Sequence, residues 1–509
     1  MRGADARAEA EAEAEAEAAS SLPVAVRKQV LDELGYLREA AGDLPRAAED
    51  WRASLALAPD PRIALALASV QLRDGQGQAA RGTLDDLAGT APDDDEAQAA
   101  RLDLRWQLET AQERHAAAHE AAAQGLALRP SAARRYQLGR SERELGRLPQ
   151  AMAQFEQAFA EDARTEYLDA LAYGHRAAGS YPEAVRAFEA LLQRHPERDA
   201  LYADLAYTLM RAGDNDRAAE WFKRAIDRRI ERDETVKLVQ APGAPLPAIT
   251  PRREDDELRA LRDEVRKLTE RWTLSAYESL RGGRSDRAST IAGAESTGLI
   301  PSQGGVEVAW RPPVVGLRDE RTLDVFARLL WSNQPGSLRI DSASRQAGVG
   351  VRYKPLREHS FYLSAERLIG IGANAQDDWL LRASYGWSSG YEMRANQASW
   401  NYTTLFADVG AFSDRDHTRA FYVEARQGRS FRVGDRWILT PHVVADARRQ
   451  WPDPGRFNYA EVGGGVSARY VFNESRYVTP RSSAEFVLQY KKGFDAAKSG
   501  WLLTSVLRF

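Results

Sequence analysis

From about residue 271 to its last residue, the chain alternates apolar with polar or small side chains. Trp379, Leu381 and Tyr385 lie on one side of such a stretch, and Arg382 and Ser384 lie on the other. A period of two predicts β-strands, because successive side chains of a strand point to opposite faces. About twelve stretches follow this pattern, near 271–280, 305–311, 322–331, 347–354, 360–369, 378–387, 399–412, 419–427, 436–448, 458–472, 483–491 and 501–509. An even number of antiparallel strands is what a closed membrane barrel requires.

The apolar side of these stretches ends repeatedly in Trp, Tyr or Phe, and 31 of the 45 aromatic residues lie in 272–509. A soluble β-domain also alternates, but its outward face is polar. Aromatic residues that flank an apolar band are typical of strands that cross a bilayer. Strands in lipid leave no edge unpaired, so they close into a barrel. We therefore predict an antiparallel outer-membrane β-barrel of about 12 strands over 271–509.

The last nine residues form an alternating strand that ends on an aromatic side chain. One face of this strand carries Trp501, Leu503, Ser505, Leu507 and Phe509. The segment resembles the C-terminal signal by which outer-membrane barrels are recognised by their insertion machinery. The resemblance implies that these five residues form a barrel insertion signal.

The first half of the chain repeats a helical pattern. Glycines end one helix and precede the next at positions 42, 75, 146, 179 and 213, and the longest interval holds one further unit with Ala111 near the expected turn. The second helices begin alike, as in Leu44-Pro45-Arg46-Ala47 and Leu148-Pro149-Gln150-Ala151. These units resemble the tetratricopeptide repeat, a helix–turn–helix of about 34 residues. We predict a solenoid of such repeats over 26–236, whose concave face binds protein segments by family analogy. A purely structural spacer is the alternative.

Two further segments flank the solenoid. Residues 1–25 include an Ala/Glu tract and are predicted to be a low-complexity tail. Residues 237–270 are predicted to be a proline-rich linker followed by a short helix with an apolar stripe. No stretch near Met1 has the apolar core of a secretory signal. We therefore expect the natural start of an exported protein to lie upstream, or the chain to be a fragment.

Composition and spacing argue against several kinds of chemistry. The chain has no cysteine, which excludes disulfides and thiolate sites, and its net charge of -4 shows no basic bias toward nucleic acid. His115 and His119 lie four residues apart without a third ligand, so a surface pair is preferred to a metal site. No Gly-x-Ser-x-Gly elbow accompanies His359, His417 or His442. We expect no enzyme, no cofactor and no metal.

The polar side of the predicted strands carries charges that we expect to face the barrel lumen. The candidate lumen residues are Arg352, Arg382, Glu424, Arg426, Glu461 and Arg469. Interior salt bridges, with Glu366, Glu424, Glu461 and Glu485 as the acidic partners, would hold the barrel's shape. A passage or binding surface for an anionic or polyhydroxylated polymer is the other interpretation. About twelve strands enclose a narrow lumen that side chains largely fill, so we give slightly more weight to salt bridges.

Three runs in the C-terminal part carry a family resemblance. They are Trp272 to Tyr277, Ser302 to Arg311 followed by Pro312-Pro313, and Thr322 to Trp331. Over about 265–509 the chain resembles the C-terminal domain of the bacteriophage N-four adsorption protein A family. The resemblance implies an outer-membrane protein that phage use as a receptor. It also implies joint work with an inner-membrane glycosyltransferase in secreting a surface polysaccharide.

Together these features predict an outer-membrane component of an exopolysaccharide secretion system, with its N-terminal repeats in the periplasm. The barrel would export the polysaccharide or anchor the repeats to the membrane. The repeats would bind a periplasmic or inner-membrane protein such as a glycosyltransferase. Outer-membrane lipid, polysaccharide and phage are the other expected partners, and nucleic acid is not expected. The alternative is an anchored scaffold and phage receptor without transport, with outer loops such as 388–400 as attachment sites. An outer-membrane hydrolase is a third hypothesis.

Overall fold

The computed structural model describes residues 23–89, 94–239, 256–281, 303–333, 339–394, 397–413, 418–451, 459–494 and 499–509. The chain divides into two compact units, Met1–Arg194 and His195–Phe509. The Ala/Glu tract, the prolines of the predicted linker and His417 lie outside the described residues. Within the described ranges, no helix is long and apolar enough to cross a membrane.

The first unit is built, in its described part, from consecutive helices that pack in antiparallel pairs. They are α1 Val24–Ala41, α2 Leu44–Leu57, α3 Pro61–Arg73, α4 Gly77–Gly89, α5 Asp95–Ala111, α6 His115–Leu128, α7 Ala132–Glu144, α8 Leu148–Glu161, α9 Thr165–Ala177 and α10 Tyr181–Arg194. Small residues let paired helices approach closely. A Cβ at Gly35 would overlap the Trp51 indole, and one at Gly139 would overlap the Phe155 ring.

The turns inside the helix pairs follow the predicted glycine spacing. Gly42, Gly75, Gly146 and Gly179 have φ values of 74° to 82°, the left-handed conformation that glycine adopts without strain. The pair α5–α6 lacks this glycine, and Glu113 adopts a φ of 56° at its turn. Ala111, which the sequence placed near that turn, is the last residue of α5. The non-glycine residue thus takes the strained position two residues later.

The second unit begins with α11 Ala200–Ala212, α12 Asn215–Val239 and α13 Asp256–Thr269. This unit starts at His195, which lies inside the stretch 26–236 that the sequence assigned to one solenoid. Helix α12 packs against α13, and both helices form hydrogen bonds with the segment that joins β11 to β12. Helix α13 buries the apolar stripe seen in its sequence, Leu258, Leu261, Val265 and Leu268. Its exposed remainder is charged, which suits a helix that packs on one face.

The β-strands of the second unit form one antiparallel barrel. They are β1 Trp272–Arg281, β2 Gln303–Trp310, β3 Leu317–Arg318, β4 Arg321–Ser332, β5 Gln346–Lys354, β6 Ser360–Gly370, β7 Asp378–Ser389, β8 Ser399–Phe412, β9 Arg419–Val433, β10 Trp437–Trp451, β11 Tyr459–Phe472, β12 Ser482–Phe494 and β13 Gly500–Arg508. Neighbours pair in sequence order from β4 to β13, and β1 joins β13 to β2, which pairs with β4. Twelve strands therefore close the barrel, and the two-residue β3 is an extra strand. The predicted architecture, helical repeats followed by a barrel of about 12 strands, is confirmed.

The two faces of the barrel wall differ in polarity. Large apolar side chains point outward and stay exposed, among them Trp379 at 50%, Leu381 at 59% and Val443 at 62%. The inward side chains are buried and many of them are charged. This is the reverse of a protein that folds in water, where the apolar face turns inward. The surface is suited to a hydrocarbon environment.

The barrel has two ends that are named here by their connections. At the helical end β1 follows α13, and strands are joined there by 311–320, 355–359, 390–398, 434–436 and 473–481. At the far end lie the ends of β1, β4, β6, β8, β10 and β12 and the starts of the strands that follow them, with the described connection 371–377 between β6 and β7. The sequence analysis proposed 388–400 as an outer loop, and its described residues after Ser389 lie at the helical end. Strand β7 runs toward the helical end, so the segment that follows it lies on the same side as α13.

Candidate functional site: the barrel lumen

All six candidate lumen residues lie on the inward face of the barrel. Three of the arginines pair with carboxylates over short distances: Arg352 with Glu307 at 2.8 Å, Arg382 with Asp408 at 2.8 Å, and Arg426 with Glu424 at 2.9 Å. Glu461 pairs with Arg281, which belongs to β1. Each pair links side chains from different strands or from alternate positions of one strand. The lumen therefore holds opposite charges in contact.

Three carboxylates form a row across adjacent strands, which we call the acidic row. Asp446 of β10 stands opposite Glu424 of β9 and Glu461 of β11 in the strand register. Like charges directly opposite each other destabilise a sheet unless they are neutralised. Glu424 and Glu461 have arginine partners, and Lys491 supplies the cation for Asp446, with Nζ 2.5 Å from Asp446 and 4.0 Å from Glu424. Its side chain is 1% exposed, so this cation is shielded from water.

A second buried pair joins Glu366, an acidic partner expected from the sequence, to Arg328, which was not among the predicted residues. The Arg328 guanidinium donates to Glu366, with Nε 2.6 Å from Oε1, and neither side chain is more than 2% exposed. Lys491 and Asp446 were missed in the same way. All of these positions continue the alternation of their strands, so the pattern that identified Arg382 and Arg426 also marks them as inward. Their partners depend on barrel closure, which alternation does not specify.

A segment from the helical end folds into the lumen, and we call residues 390–394 the inner plug. It begins at Gly390, whose φ is 71°, and the Trp400 indole donates to the Gly390 carbonyl at 2.8 Å. The Tyr391 ring lies 3.8 Å from the Arg469 guanidinium carbon, and the Tyr391 carbonyl accepts a hydrogen bond from Arg469. The Tyr391 hydroxyl donates to Glu485 at 3.1 Å. The sixth candidate, Arg469, thus holds a plug within the barrel.

The side chain of Met393 extends the inner plug into a small apolar cluster. It packs against Trp400, Ile438 and Val471, which are all buried on the inward face. The plug is therefore held by a cation–aromatic contact, by hydrogen bonds and by apolar packing. The plug and the paired charges both lie on the inner side of the described strands. This arrangement favours the salt-bridge interpretation of the lumen over an open passage.

At the helical end, helices α12 and α13 are bonded to the connection 473–481. Arg262 donates to the carbonyls of Ser475 at 2.6 Å and Val478 at 2.9 Å, and Thr479 donates to Asp263 at 2.5 Å. The Asp227 carboxylate of α12 accepts hydrogen bonds from Arg476 at 2.8 Å and from the Tyr477 hydroxyl at 3.1 Å. A second set of contacts ties Arg211 to Asp319 at 2.9 Å and Asn215 to the Leu317 carbonyl at 2.6 Å. These helices form a fixed layer on the barrel rather than a loosely tethered appendage.

The residues of the predicted insertion signal form the last strand of the barrel, which pairs with both β1 and β12. Trp501, Leu503, Leu507 and Phe509 are exposed on the outward face, and Ser505 lies opposite Glu278 and Phe486 in the register. The backbone groups of Phe509 and Leu274 exchange two hydrogen bonds of 2.8 and 2.9 Å. This strand completes the closure of the barrel.

In the first unit, charged side chains are paired across helices. Glu109 is fully buried and receives Arg81 and Arg105 at 2.7 Å each. Burial opposes its charge, but the hydrogen bond from Arg81 and the nearby arginines hold the pKa of Glu109 below its ordinary value. Burial raises the pKa of Glu142 in α7, where Arg147 only partly offsets it. Among the described residues, no group of three or more His, Asp or Glu side chains is arranged to hold a metal ion.

Three protein families and one curated protein match parts of the chain. Residues 338–504 match the family described as Bacteriophage N adsorption protein A C-term. Residues 33–95 and 175–233 match two tetratricopeptide repeat families. Bacteriophage adsorption protein A of Escherichia coli (strain K12) is 25% identical over 341 residues, which are 64% of this chain and 32% of that protein. The chain therefore spans about a third of the length of this curated relative.

Two solved structures similar to the chain are tetratricopeptide repeat proteins. One from Parabacteroides merdae ATCC 43184 is 22% identical, covers 42% of this chain and 86% of its own, and has a TM-score of 0.34. A thermophilic protein from Thermus thermophilus is 23% identical, covers 36% of this chain and 98% of its own, and has a TM-score of 0.28.

Proposed function

We propose a function from one premise: by its tetratricopeptide repeats and its C-terminal domain, this chain is a relative of the bacteriophage adsorption protein A family, as the sequence predicted. The chain is an outer-membrane scaffold and phage receptor. Its barrel anchors the helical repeats to the membrane. The observation that carries this proposal is a lumen that holds paired charges and an inner plug, inside a wall whose outward face is apolar.

The orientation follows from the topology of the barrel. The helical end carries α11–α13, and in an outer-membrane protein with periplasmic repeats this end faces the periplasm. The far end then faces the medium and offers the surface to which phage adsorb. Its described part includes a contact between two connections, where the Ile371 and Gly372 amides donate to the Arg345 carbonyl at 3.0 and 2.9 Å. The tetratricopeptide repeats would then be free to bind a periplasmic or inner-membrane protein.

This orientation can be tested by labelling, because the chain has no cysteine of its own. Ala373→Cys lies in a far-end connection and Glu358→Cys lies in a helical-end connection, and both positions are exposed. We expect a membrane-impermeant maleimide to label Ala373→Cys in intact cells and Glu358→Cys only after the outer membrane is permeabilised. The opposite order would reverse the orientation. Recovery of the protein in the soluble fraction would overturn the membrane assignment.

Secretion of an exopolysaccharide is the second candidate function, and the charged, aromatic-lined lumen favours it. Arg469, Tyr391 and Tyr402 present cationic and aromatic groups to the interior, which suit a polyhydroxylated or anionic polymer. Passage of a polymer would require the inner plug to leave the lumen. The partner would then be a membrane glycosyltransferase bound through the repeats.

Bilayer conductance separates the scaffold from the exporter. We expect the wild-type barrel to pass no current above background, since paired side chains and the plug fill it. Tyr391→Ala should raise the conductance if the plug is the only barrier, and the exposed Tyr353→Ala is the matched control. A wild-type barrel that conducts would overturn the scaffold proposal. Loss of a surface polysaccharide on gene deletion, with a Tyr391→Ala barrel that conducts, would favour export.

A further inference from the structure

An open groove lies on the rim of the barrel at the helical end. It encloses about 660 Å³ and is lined by Arg436, Tyr470, Phe472, Asn473 and Glu474. Arg436 follows the turn at Gly434, and Asn473 begins the connection between β11 and β12. We call it the rim groove.

One wall of the rim groove is aromatic and belongs to the outward face of the barrel. Tyr470 stacks with Phe472 at a centroid distance of 5.8 Å, and Trp437 lies 5.1 Å from Tyr470. Phe509 packs edge-on against Phe472 at 5.7 Å. Aromatic side chains of this kind sit at the level of lipid headgroups in membrane barrels. The groove therefore lies where an apolar wall meets water.

The other wall of the rim groove carries two opposite charges. Arg436 is exposed, and its Nη1 is 3.3 Å from the Tyr470 hydroxyl. The Glu474 carboxylate is 45% exposed on its side chain and lies 3.5 Å from Arg262 of α13. A cation and a carboxylate in one groove complement a ligand that carries both signs. An anionic ligand alone would meet repulsion from the exposed side of Glu474, which the single 3.5 Å contact with Arg262 offsets only in part.

We propose that the rim groove binds the headgroup of a zwitterionic aminophospholipid, phosphatidylethanolamine, from the periplasmic leaflet. Arg436 binds the phosphate, Glu474 accepts hydrogen bonds from the ammonium group, and the aromatic wall packs against the glycerol and the first acyl carbons. This inference rests on the proposed membrane location of the barrel. It adds a defined lipid partner at the rim next to the last strand.

The test uses the full chain reconstituted in bilayers that contain equal amounts of phosphatidylethanolamine and phosphatidylglycerol, followed by native mass spectrometry of the released protein. We expect one phosphatidylethanolamine to stay bound to the wild type. Arg436→Ala should lower its occupancy about two- to fivefold, as expected for the loss of a solvent-exposed charge pair. Glu474→Gln should shift the preference toward phosphatidylglycerol, because the repulsion of a net anionic headgroup is removed.

Arg449→Ala is the matched control. Arg436 directly precedes β10, and Arg449 lies in β10, where its guanidinium carbon is 5.2 Å from the centre of the Trp451 ring. It lies near the far end and should leave the lipid preference unchanged. Equal retention of both lipids by the wild type, or no change in Arg436→Ala, would overturn the inference while the barrel still inserts. Failure of the wild type to insert at all would instead overturn the proposed function.

Discussion

Lys491→Met is the sharpest perturbation of the barrel interior. The Lys491 ammonium is 2.5 Å from Asp446 and 4.0 Å from Glu424, and the exposed fractions of the three side chains are 1%, 0% and 9%. The substitution keeps a side chain of similar length and removes only the charge. It leaves Asp446 without its cation, beside Glu424 and Glu461 in the acidic row.

The expected loss follows from the burial of the pair. Removing one partner of a buried ion pair costs about 3–5 kcal/mol, because the remaining charge stays desolvated. Asp446→Asn in the same chain should restore a large part of that loss. The coupling energy between the two positions should then lie in the upper part of the roughly 0.5–3 kcal/mol found for residues in contact.

The assay is the free energy of unfolding of the barrel, measured by urea titration in lipid vesicles with tryptophan fluorescence as the signal. Lys492→Met is the control, since Lys492 is the next residue of β12 and is exposed. It should change the free energy by less than about 0.5 kcal/mol. Equal stability of the two methionine variants would show that Lys491 does not neutralise Asp446, and so would a further loss of stability caused by Asp446→Asn in the Lys491→Met background.

Three further predictions concern the helices. Glu113→Gly should stabilise the first unit by about 0.5–1 kcal/mol in thermal unfolding followed by circular dichroism, since it relieves a positive φ, whereas Gly146→Ala should destabilise it. Glu142→Gln should raise the melting temperature at pH 7.5 and have little effect near pH 4. The raised pKa of Glu142 means that the folded state holds its proton more tightly, so the loss of stability caused by the buried charge is present above that pKa and disappears on acidification. The control Glu144→Gln should leave the melting temperature at pH 7.5 nearly unchanged, because the Glu144 side chain is 45% exposed. Arg262→Ala should speed proteolysis between α13 and the barrel in detergent, because two carbonyl contacts of 2.6 and 2.9 Å are lost; unchanged cleavage would argue against a fixed helical layer.

Much of the fold was predictable because two periodicities are local properties of the chain. The alternation around Arg382 and Trp379 fixes which side chains point inward in β7, whatever the rest of the barrel does. The glycine spacing of the repeats works in the same way, since each left-handed turn is set by one residue. Glu113 shows the limit of that rule, because the helix pair around it forces a non-glycine residue into the same conformation.

The contents of the lumen were less predictable, because they depend on contacts between distant strands. Arg281 of β1 reaches Glu461 of β11 only after the barrel has closed. Tyr391 was assigned to an outer loop, although counting strand directions from β1 places it at the helical end. No local pattern indicated that Tyr391 would turn inward to Arg469, since the turn at Gly390 and the packing of Met393 are three-dimensional features.

The pairing of β1 with β13 has a consequence for biogenesis. The seam joins the first and last strands of a barrel whose order otherwise follows the chain, so the cylinder stays an open, curved sheet until residues 500–508 are delivered. A polypeptide truncated before β13 would leave one edge of β1 and one edge of β12 unpaired, and other incomplete chains could pair with them. Pairing of the final strand with β1 and β12 therefore separates a completed barrel from a species that is prone to aggregation or degradation.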